Sequence, residues 1–207
     1  MVLKGLSCSF FQGEIISIMG ASGVGKTTLI HLLSTLDRPT RGKVLLFGTD
    51  VSQLGSNELA RLRNERLGFV FQMHHLLPEF SAIENACMPF LIQGASLKKV
   101  KEHAKKLFDL LDLSDRINSP VKLLSGGEQQ RVAIIRAMVK QPDILFADEP
   151  TGNLDEAATD KVAELFSLIN REFGTTIVFV THNPRLSRIA TRTFLLSKGV
   201  LEEFRDE

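Results

Sequence analysis

The sequence predicts an α/β fold in which a mostly parallel sheet with flanking helices carries an inserted all-helical subdomain. Six short apolar runs, each bounded by glycine or charged residues, have the length and composition of buried strands. Stretches with helical spacing alternate with these runs, and this alternation is typical of a parallel sheet covered on both faces. The predicted strands are Ile15–Met19, Val44–Phe47, Phe69–Phe71, Ile144–Ala147, Ile177–Val180 and Thr193–Leu196.

Helices are predicted between these strands. Thr27–Leu36 has four leucines at helical spacing, and Ser56 is placed to cap a short exposed helix over Glu58–Glu65. A longer helix is predicted over Glu156–Phe173, where the apolar residues again recur at helical spacing.

Only helices are predicted from about Met73 to Gln141, and Pro120 and Pro142 punctuate this region. The predicted helices are Ala82–Gln93, Leu97–Leu113 and Glu128–Lys140. We therefore expect one domain over residues 1–207, with an α/β core formed by 1–72 and 142–207 and a helical subdomain over 73–141.

Composition narrows the class of protein. The 207-residue chain is 43% hydrophobic and 24% charged, with a formal net charge of +1, so bulk charge does not indicate a nucleic-acid partner. No apolar run approaches the ~18 residues that cross a bilayer, and the N-terminus lacks the layout of a signal peptide. Cys8 and Cys87 form no metal or redox motif. We expect a cytoplasmic protein with two reduced, buried thiols, whose membrane contacts go through a partner.

Residues 20–27, Gly-Ala-Ser-Gly-Val-Gly-Lys-Thr, match the phosphate-loop pattern between a predicted strand and a predicted helix. Glycines let the backbone turn around an anion, and the loop N–H groups point at phosphate oxygens. Lys26 supplies a charge for the β- and γ-phosphates, and the Thr27 hydroxyl is suited to Mg²⁺. The pattern predicts a P-loop NTPase core whose nucleotide contacts are Gly20, Ser22, Gly23, Val24, Gly25, Lys26, Thr27 and Thr28.

Two carboxylates, Asp148 and Glu149, follow the apolar run 144–147. The carboxyl ends of parallel strands face the ligand crevice, so Asp148 is placed to bind Mg²⁺ directly or through water. Glu149 is one residue further and points differently, and it is predicted to polarise the attacking water as a general base. A solvated Asp-Glu pair before Pro150 is the alternative, and the phosphate loop upstream favours catalysis.

The segment Leu124–Gln129, Leu-Ser-Gly-Gly-Glu-Gln, is the most informative stretch. Ser125 and Glu128 fit a capping box for the helix that follows, and we expect this box to form. Two glycines in the first turn disfavour a helix, but they let an anion approach the helix N-terminus closely. The segment therefore predicts a second phosphate-facing element made by Ser125, Gly126, Gly127 and Glu128.

The chain resembles the ATP-binding cassette ATPases over nearly its whole length, because Leu124–Gln129 is similar to the signature sequence of that family. The other family motifs occur in the family's order: the phosphate loop, Gln72 after a strand, the signature, Asp148-Glu149, Asn153-Leu154-Asp155, and His182 after a strand.

The resemblance implies a role for each motif. Gln72 would sense Mg²⁺ and the attacking water and couple to a transmembrane partner, and His182 would contact the γ-phosphate of its own ATP. Ser125 and Gly127 would contact the γ-phosphate of ATP held by a second copy, with Asp155 at the interface. The functional unit would be a head-to-tail homodimer with ATP and Mg²⁺ between the copies. The implied catalytic residues are Glu149, His182 and Gln72, and the implied metal ligands are Thr27, Gln72 and Asp148.

Other branches of the family fit less well. Repair-type members carry a long coiled coil between the phosphate loop and the signature, but Lys26 and Ser125 are only 99 positions apart and no heptads are sustained. Translation-type members normally have two heads in one chain, and only one fits here. The resemblance therefore favours the motor of a transport complex with integral-membrane permease subunits.

Residues 67–82 resemble the lipoprotein-releasing subfamily, as do Leu36–Thr40 and Gly152–Asp155. The macrolide-exporter and cell-division types share Gly152–Asp155, so they remain alternatives. The resemblance implies an ATPase at the cytoplasmic face of the bacterial inner membrane that contacts neither nucleic acid nor cargo directly. The apolar residues around Gln72 are Phe71, Met73, Leu76, Leu77 and Phe80. Some of them must be core, and we expect the rest to form a groove for a permease helix.

One departure from the family concerns adenine. The family places an aromatic ring on a strand upstream of the phosphate loop, whereas Leu3–Phe10 resembles the segment after that strand, and Phe10 and Phe11 would belong to the next strand. The chain contains no Tyr or Trp. We therefore expect the first antiparallel strand and its adenine platform to be missing, through an internal start or a truncation, or in a genuine short form with weak base recognition.

Overall fold

A six-stranded sheet runs through the centre of the computed structural model, which describes residues 2–204. Its strands are β1 (Ile15–Met19), β4 (Leu67–Val70), β5 (Ile144–Asp148), β6 (Thr176–Thr181), β7 (Arg192–Ser197) and β8 (Val200–Phe204). They lie in the order β4-β5-β6-β1-β7-β8, and all neighbours are parallel except β7 and β8. A separate antiparallel pair is formed by β2 (Leu45–Leu46) and β3 (Thr49–Asp50). The predicted mostly parallel α/β sheet is confirmed.

Helices connect the parallel strands. The described part of the chain forms α1 (Lys26–Leu33), α2 (Ser56–Arg66), α3 (Ala82–Leu91), α4 (Leu97–Leu110), α5 (Gly126–Met138), α6 (Glu156–Phe173) and α7 (Pro184–Ser187). Between β4 and β5 only α3, α4, α5 and two short 3-10 turns occur, as the sequence predicts. None of the helices in residues 2–204 has both the length and the hydropathy needed to cross a bilayer.

Apolar side chains cover both faces of the sheet. In the central strand β6, Ile177 and Phe179 pack into one cluster with helices α3 to α6, and Val178 and Val180 pack into a second cluster with α1. Alternation of this kind buries a parallel strand on both sides, which explains why the sequence shows continuous apolar runs. The parallel pairing of these strands places the carboxyl ends of β1, β5 and β6 side by side at one edge of the sheet.

Several boundaries differ from the prediction. The strand predicted over Val44–Phe47 shrinks to two residues, because Phe47 and Gly48 take positive φ angles of 53° and 79° and form the turn into β3. The strand predicted over Phe69–Phe71 is shifted to β4 (Leu67–Val70), where Leu67 pairs with Ile144. Ser56 is the first helical residue of α2 rather than its cap, and the Gly55 N–H donates to Glu58 Oε2 at 2.8 Å.

The N-terminal segment is irregular. Residues 2–14 form no strand, so the placement of Phe10 and Phe11 on a strand is wrong. The chain turns there, because the Phe11 N–H donates to Glu14 Oε2 at 2.8 Å and Gly13 has a φ of 79°. Phe10 packs edge-on against Phe194 with ring centroids 5.5 Å apart. Both thiols are free, and Cys87 is buried as expected whereas Cys8 is half-buried.

Gly68 brings strand β4 and helix α5 into close contact. A Cβ atom at this position would lie 2.7 Å from the Ala137 carbonyl oxygen and 3.0 Å from Pro142 Cγ. Because a backbone atom and a proline ring cannot move aside cheaply, we expect Gly68→Ala to lower the free energy of unfolding by ~1–3 kcal/mol. Chemical denaturation followed by circular dichroism measures the loss.

Gly55→Ala is the matched control for Gly68→Ala. The φ of Gly55 is an ordinary −68°, and a Cβ there would meet only Glu58 Oε2 at 3.4 Å. This variant should unfold close to the wild-type midpoint. Equal midpoints for the two variants would contradict the close contact between β4 and α5.

Candidate active site

The phosphate loop joins β1 to α1 with the geometry its glycines permit. Gly23 and Gly25 have φ angles of 75° and 110°, a region that L side chains rarely adopt. At Gly20 a Cβ would lie 2.6 Å from the Leu196 carbonyl oxygen, so this position requires glycine. Ser22 and Thr27 are exposed, whereas Val24, Thr28 and Gly25 are half-buried. One side of the loop is therefore exposed to solvent, and an anion has room to bind there.

Lys26 is buried at the start of α1 and binds back onto the loop. Its Nζ donates to the carbonyl oxygens of Gly20 at 2.8 Å and Ala21 at 3.2 Å. It also forms an ion pair with Glu149 Oε1 at 3.2 Å. The ammonium group therefore sits at the mouth of the loop, with a carboxylate as its only charged partner among the ion pairs of the described residues.

Glu149 lies just beyond β5 and contacts two elements at once. Its Oε2 accepts from the His182 backbone N–H at 3.2 Å and lies 3.0 Å from His182 Nδ1, while Oε1 faces Lys26. The Glu149 backbone has a φ of 43° and its N–H donates to the Val180 carbonyl at 3.0 Å. A left-handed conformation is disfavoured for glutamate. The hydrogen bond to β6 therefore holds the Glu149 backbone in this conformation, and the side chain is positioned with it.

Asp148 ends β5 and faces Thr27, whose hydroxyl donates to Asp148 Oδ1 at 3.3 Å. Burial raises the pKa of Asp148, and the Glu149 charge raises it further, while the Thr27 hydrogen bond and the charges of His31 and Lys26 oppose this shift. A cation bound here would offset the cost of ionising Asp148. Mg²⁺ takes few protein oxygens and keeps phosphate oxygens and waters as its other ligands, so this hydroxyl–carboxylate pair fits it.

The described residues hold no cluster of three or more His, Cys, Asp or Glu side chains arranged to bind a metal by themselves. A metal at Asp148 would therefore depend on ligands from a bound nucleotide and water. This is the way Mg²⁺ is normally held in phosphate-transfer sites.

The signature segment begins helix α5 and its predicted capping box is confirmed. Ser125 Oγ accepts from the Glu128 N–H at 3.3 Å, and Glu128 Oε2 accepts from the Ser125 N–H at 2.7 Å. Hydrogen bonds from Ser125 and the charge of Arg116, whose Nε lies 3.0 Å from Glu128 Oε1, hold the pKa of Glu128 below its usual value. No atom lies within 4 Å of a Cβ built on Gly126, so the helix N-terminus is open on that side.

Gln72 and Asp155 lie at the edge of this site. Gln72 is exposed after β4, and its Nε2 lies 3.0 Å from the position that a Cβ would take on Gly152. Asp155 caps α6, where its Oδ1 accepts from the Ala158 N–H at 2.7 Å.

The structure thus joins Lys26, Thr27, Asp148, Glu149 and His182 through hydrogen bonds and ion pairs. In residues 2–204 no such bond links 125–128 to 20–27, so one copy of the chain leaves these two elements separate. Two partners of Lys26, the carbonyl groups of Gly20 and Ala21, were not predicted from the sequence. A carbonyl group carries no residue-type signal, so only the folded loop could identify them.

A P-loop nucleoside triphosphatase is the class of protein that this fold and site define. A glycine-rich turn leads from a parallel strand into a helix that starts at a buried lysine. At the end of β5, Glu149 faces Lys26 and Asp148 faces Thr27. Phosphoryl transfer to water uses a lysine, a hydroxyl and carboxylates in this kind of arrangement.

Comparisons with known proteins assign the family. The family model described as "ABC transporter" matches residues 3–152, and the chain belongs to the ABC transporter family as an ATP-hydrolysing subunit. The chain is 50% identical over 198 residues to the lipoprotein-releasing system ATP-binding proteins LolD of Geobacter metallireducens and Aquifex aeolicus. Each match covers 96% of this chain and 88% of the relative.

A solved structure shows the same fold. The dimeric bacterial ABC transporter cassette MJ0796 is 35% identical, has a TM-score of 0.89, and is matched over 100% of this chain and 92% of its own. A second dimeric structure of MJ0796, in a post-hydrolysis state bound to ADP and Pi, has a TM-score of 0.88 at the same identity and coverage. The predicted fold, family and ATPase activity are confirmed.

Proposed function

We propose that the chain is the ATP-hydrolysing motor of a bacterial inner-membrane complex that releases lipoproteins. The observation that carries this assignment is the 50% identity, over nearly the full chain, to proteins named for the lipoprotein-releasing system. The subunit would work at the cytoplasmic face of that membrane, bound to permease subunits, and would contact neither cargo nor nucleic acid.

Nucleotide binding follows from the phosphate loop. The N–H groups of residues 20–28 and the N-terminus of α1 bind the phosphate oxygens, and Lys26 exchanges its contact with Glu149 for the β- and γ-phosphates. Thr27, Asp148 and Gln72 would hold Mg²⁺, which supplies charge neutralisation of the phosphates when bound.

Hydrolysis follows from the carboxylate beside the loop. Once Lys26 engages phosphate, Glu149 is free to accept a proton from the attacking water as general base. His182, which contacts Glu149 Oε2, would bind the γ-phosphate and keep the carboxylate oriented. Gln72, next to Gly152, would report the state of the metal and the water to the permease.

The second half of the site comes from another copy. Ser125, Gly126, Gly127 and Glu128 form an open helix N-terminus suited to a γ-phosphate, and Asp155 would lie at the interface. The dimeric solved relatives support a homodimer with ATP between the copies. We further propose that residues 73–141 form the helical subdomain that presents this element, with 1–72 and 142–207 as the ATP-binding core.

The permease contact would use the apolar residues after Gln72. Met73, Leu77 and Phe80 are 67%, 41% and 39% exposed, whereas Phe71 and Leu76 are half-buried. Exposed apolar side chains within one short segment are suited to receiving an amphipathic helix.

We expect the double variant Leu77→Asp with Phe80→Asp to lose its permease, because each substitution places a charge in the apolar contact. Co-purification from membranes and permease-stimulated ATP hydrolysis measure the effect, and both should fall at least tenfold. Leu195→Asp, at a 43% exposed site on β7, is the control and should keep both. A double variant that still co-purifies and is still stimulated would exclude the groove.

The cargo assignment needs its own experiment. The complex should be purified through this chain, its membrane subunits identified by mass spectrometry, and release of a labelled lipoprotein from proteoliposomes measured. ATP-dependent release is the expected result. An exporter-type or cell-division partner without release would overturn the lipoprotein assignment and leave the ATPase assignment intact.

A further inference from the structure

The chain segment that follows Gln72 lies along the signature helix α5. Arg136 Nη1 donates to the His75 carbonyl at 2.6 Å, and Nη2 donates to the His74 carbonyl at 2.7 Å. The His74 side chain also lies near Gln129, which opposes the lowering of the pKa of His74 by burial. Gln129 and Arg136 are seven positions apart, which is about two helical turns on one face. The segment therefore spans α5 from the signature to its last turn.

Arg136 has no acidic partner among the ion pairs of residues 2–204; its charge faces two successive backbone carbonyl groups instead. Burial lowers the pKa of Arg136, because a charged guanidinium loses its contact with water when it packs against this segment. The planar fork of arginine matches two neighbouring acceptors, which a lysine ammonium cannot do in the same way. The contact is therefore directed at the backbone conformation of this segment.

That conformation is an unusual one. His75 has a φ of 47°, a left-handed backbone that non-glycine residues seldom adopt. Its ring packs edge-on against Phe71 with centroids 5.3 Å apart, and the Asn153 amide donates to Met73 Sδ at 3.9 Å. Gln72 thus lies between the end of β4 and a segment that is held by α5 and by Asn153.

We propose that Arg136 is a positioning residue that couples the signature helix to Gln72. Its two hydrogen bonds carry the His74–His75 backbone with α5, so a displacement of α5 on ATP-driven dimer closure moves the neighbouring Gln72 in the same step. The inference rests on the proposed role of Gln72. It adds a connection between α5 and Gln72 through Arg136, which does not contact the nucleotide itself.

The first test compares Arg136→Met, Arg136→Lys and Arg171→Met in the complex with the membrane subunits. Arg136→Met should lower kcat for ATP hydrolysis about tenfold while KM for ATP stays within about twofold, because the phosphate loop is untouched. Arg136→Lys keeps the charge but loses the planar fork that binds both carbonyl groups, and it should be intermediate. Arg171→Met, on the exposed side of α6, should match the wild type.

Thermal unfolding separates positioning from stability. A melting temperature that falls while kcat per folded molecule is unchanged would show a merely structural role and overturn the proposal. If Arg136→Met does not fold, Arg136→Gln, which keeps a donor near the two carbonyl groups, replaces it in every measurement.

A double-mutant cycle with Gln72→Ala tests the route of action. If Arg136 acts through Gln72, the double variant should be no slower than Gln72→Ala alone, within about twofold. Additive losses would overturn the proposal while leaving the role of Gln72 intact. A Gln72→Ala variant with wild-type kcat would instead overturn the proposed role of Gln72, and the coupling with it.

Discussion

Lys26→Ala should reduce ATP hydrolysis about a thousandfold, the upper end of what one hydrogen-bond donor contributes to a preorganised site. The ammonium group is buried and already held at the loop mouth by two carbonyl groups and Glu149. Its removal takes away the positive charge that faces the β- and γ-phosphates and leaves Glu149 without its cationic partner, so ATP binding should weaken as well.

Steady-state hydrolysis and binding of a fluorescent ATP analogue measure both effects. Lys106→Ala, which removes an exposed lysine from α4, is the matched control and should behave as the wild type. Retention of more than a tenth of the wild-type rate by Lys26→Ala would argue against the assigned role of the phosphate loop.

Glu149→Gln should lower kcat by about 10²–10⁴, the range expected for loss of a general base, and should keep ATP bound. Glutamine has nearly the same shape, so the contact with His182 can persist, but the ion pair with Lys26 is lost. Lys26 then meets less competition for phosphate, and ATP affinity should rise. Because ATP is no longer consumed, a nucleotide-bound dimer should accumulate.

Size-exclusion chromatography with light scattering in Mg-ATP detects that dimer. Glu172→Gln, at an exposed position of α6, should remain as monomeric as the wild type. If Glu149→Gln elutes only as a monomer at saturating ATP, the shared site between two copies is wrong, even if hydrolysis is lost.

Much of the fold was predictable because local pattern and global packing agree. The strands β1, β5 and β6 are buried on both faces, so each reads as a continuous apolar run. Helix α6 was predicted over its observed range because its apolar residues keep one period for 18 residues and Gly174, with a φ of 66°, ends it. The phosphate loop was predictable because its pattern is local and its glycines are required by backbone geometry.

Elements that depend on pairing, turns or single side-chain contacts, and not on an apolar run, were not predicted. Strand β8 carries Glu202 and Glu203 and exists because it pairs with β7, where Arg192 binds Glu203. The end of β2 is set by the turn at Phe47, over whose ring Arg66 stacks at 3.4 Å. Arg136 is 61 positions from His75, and the carbonyl groups it binds have no signature in the sequence.

The close approach at Gly68 holds the C-terminal end of helix α5 against strand β4. The contact lies at Ala137, one residue from the end of α5, whereas Ser125 caps the opposite end, about 18 Å away at ~1.5 Å per residue. Any side chain at position 68 would therefore push the end of α5 away from the edge strand, and the signature segment on the same helix would be displaced with it.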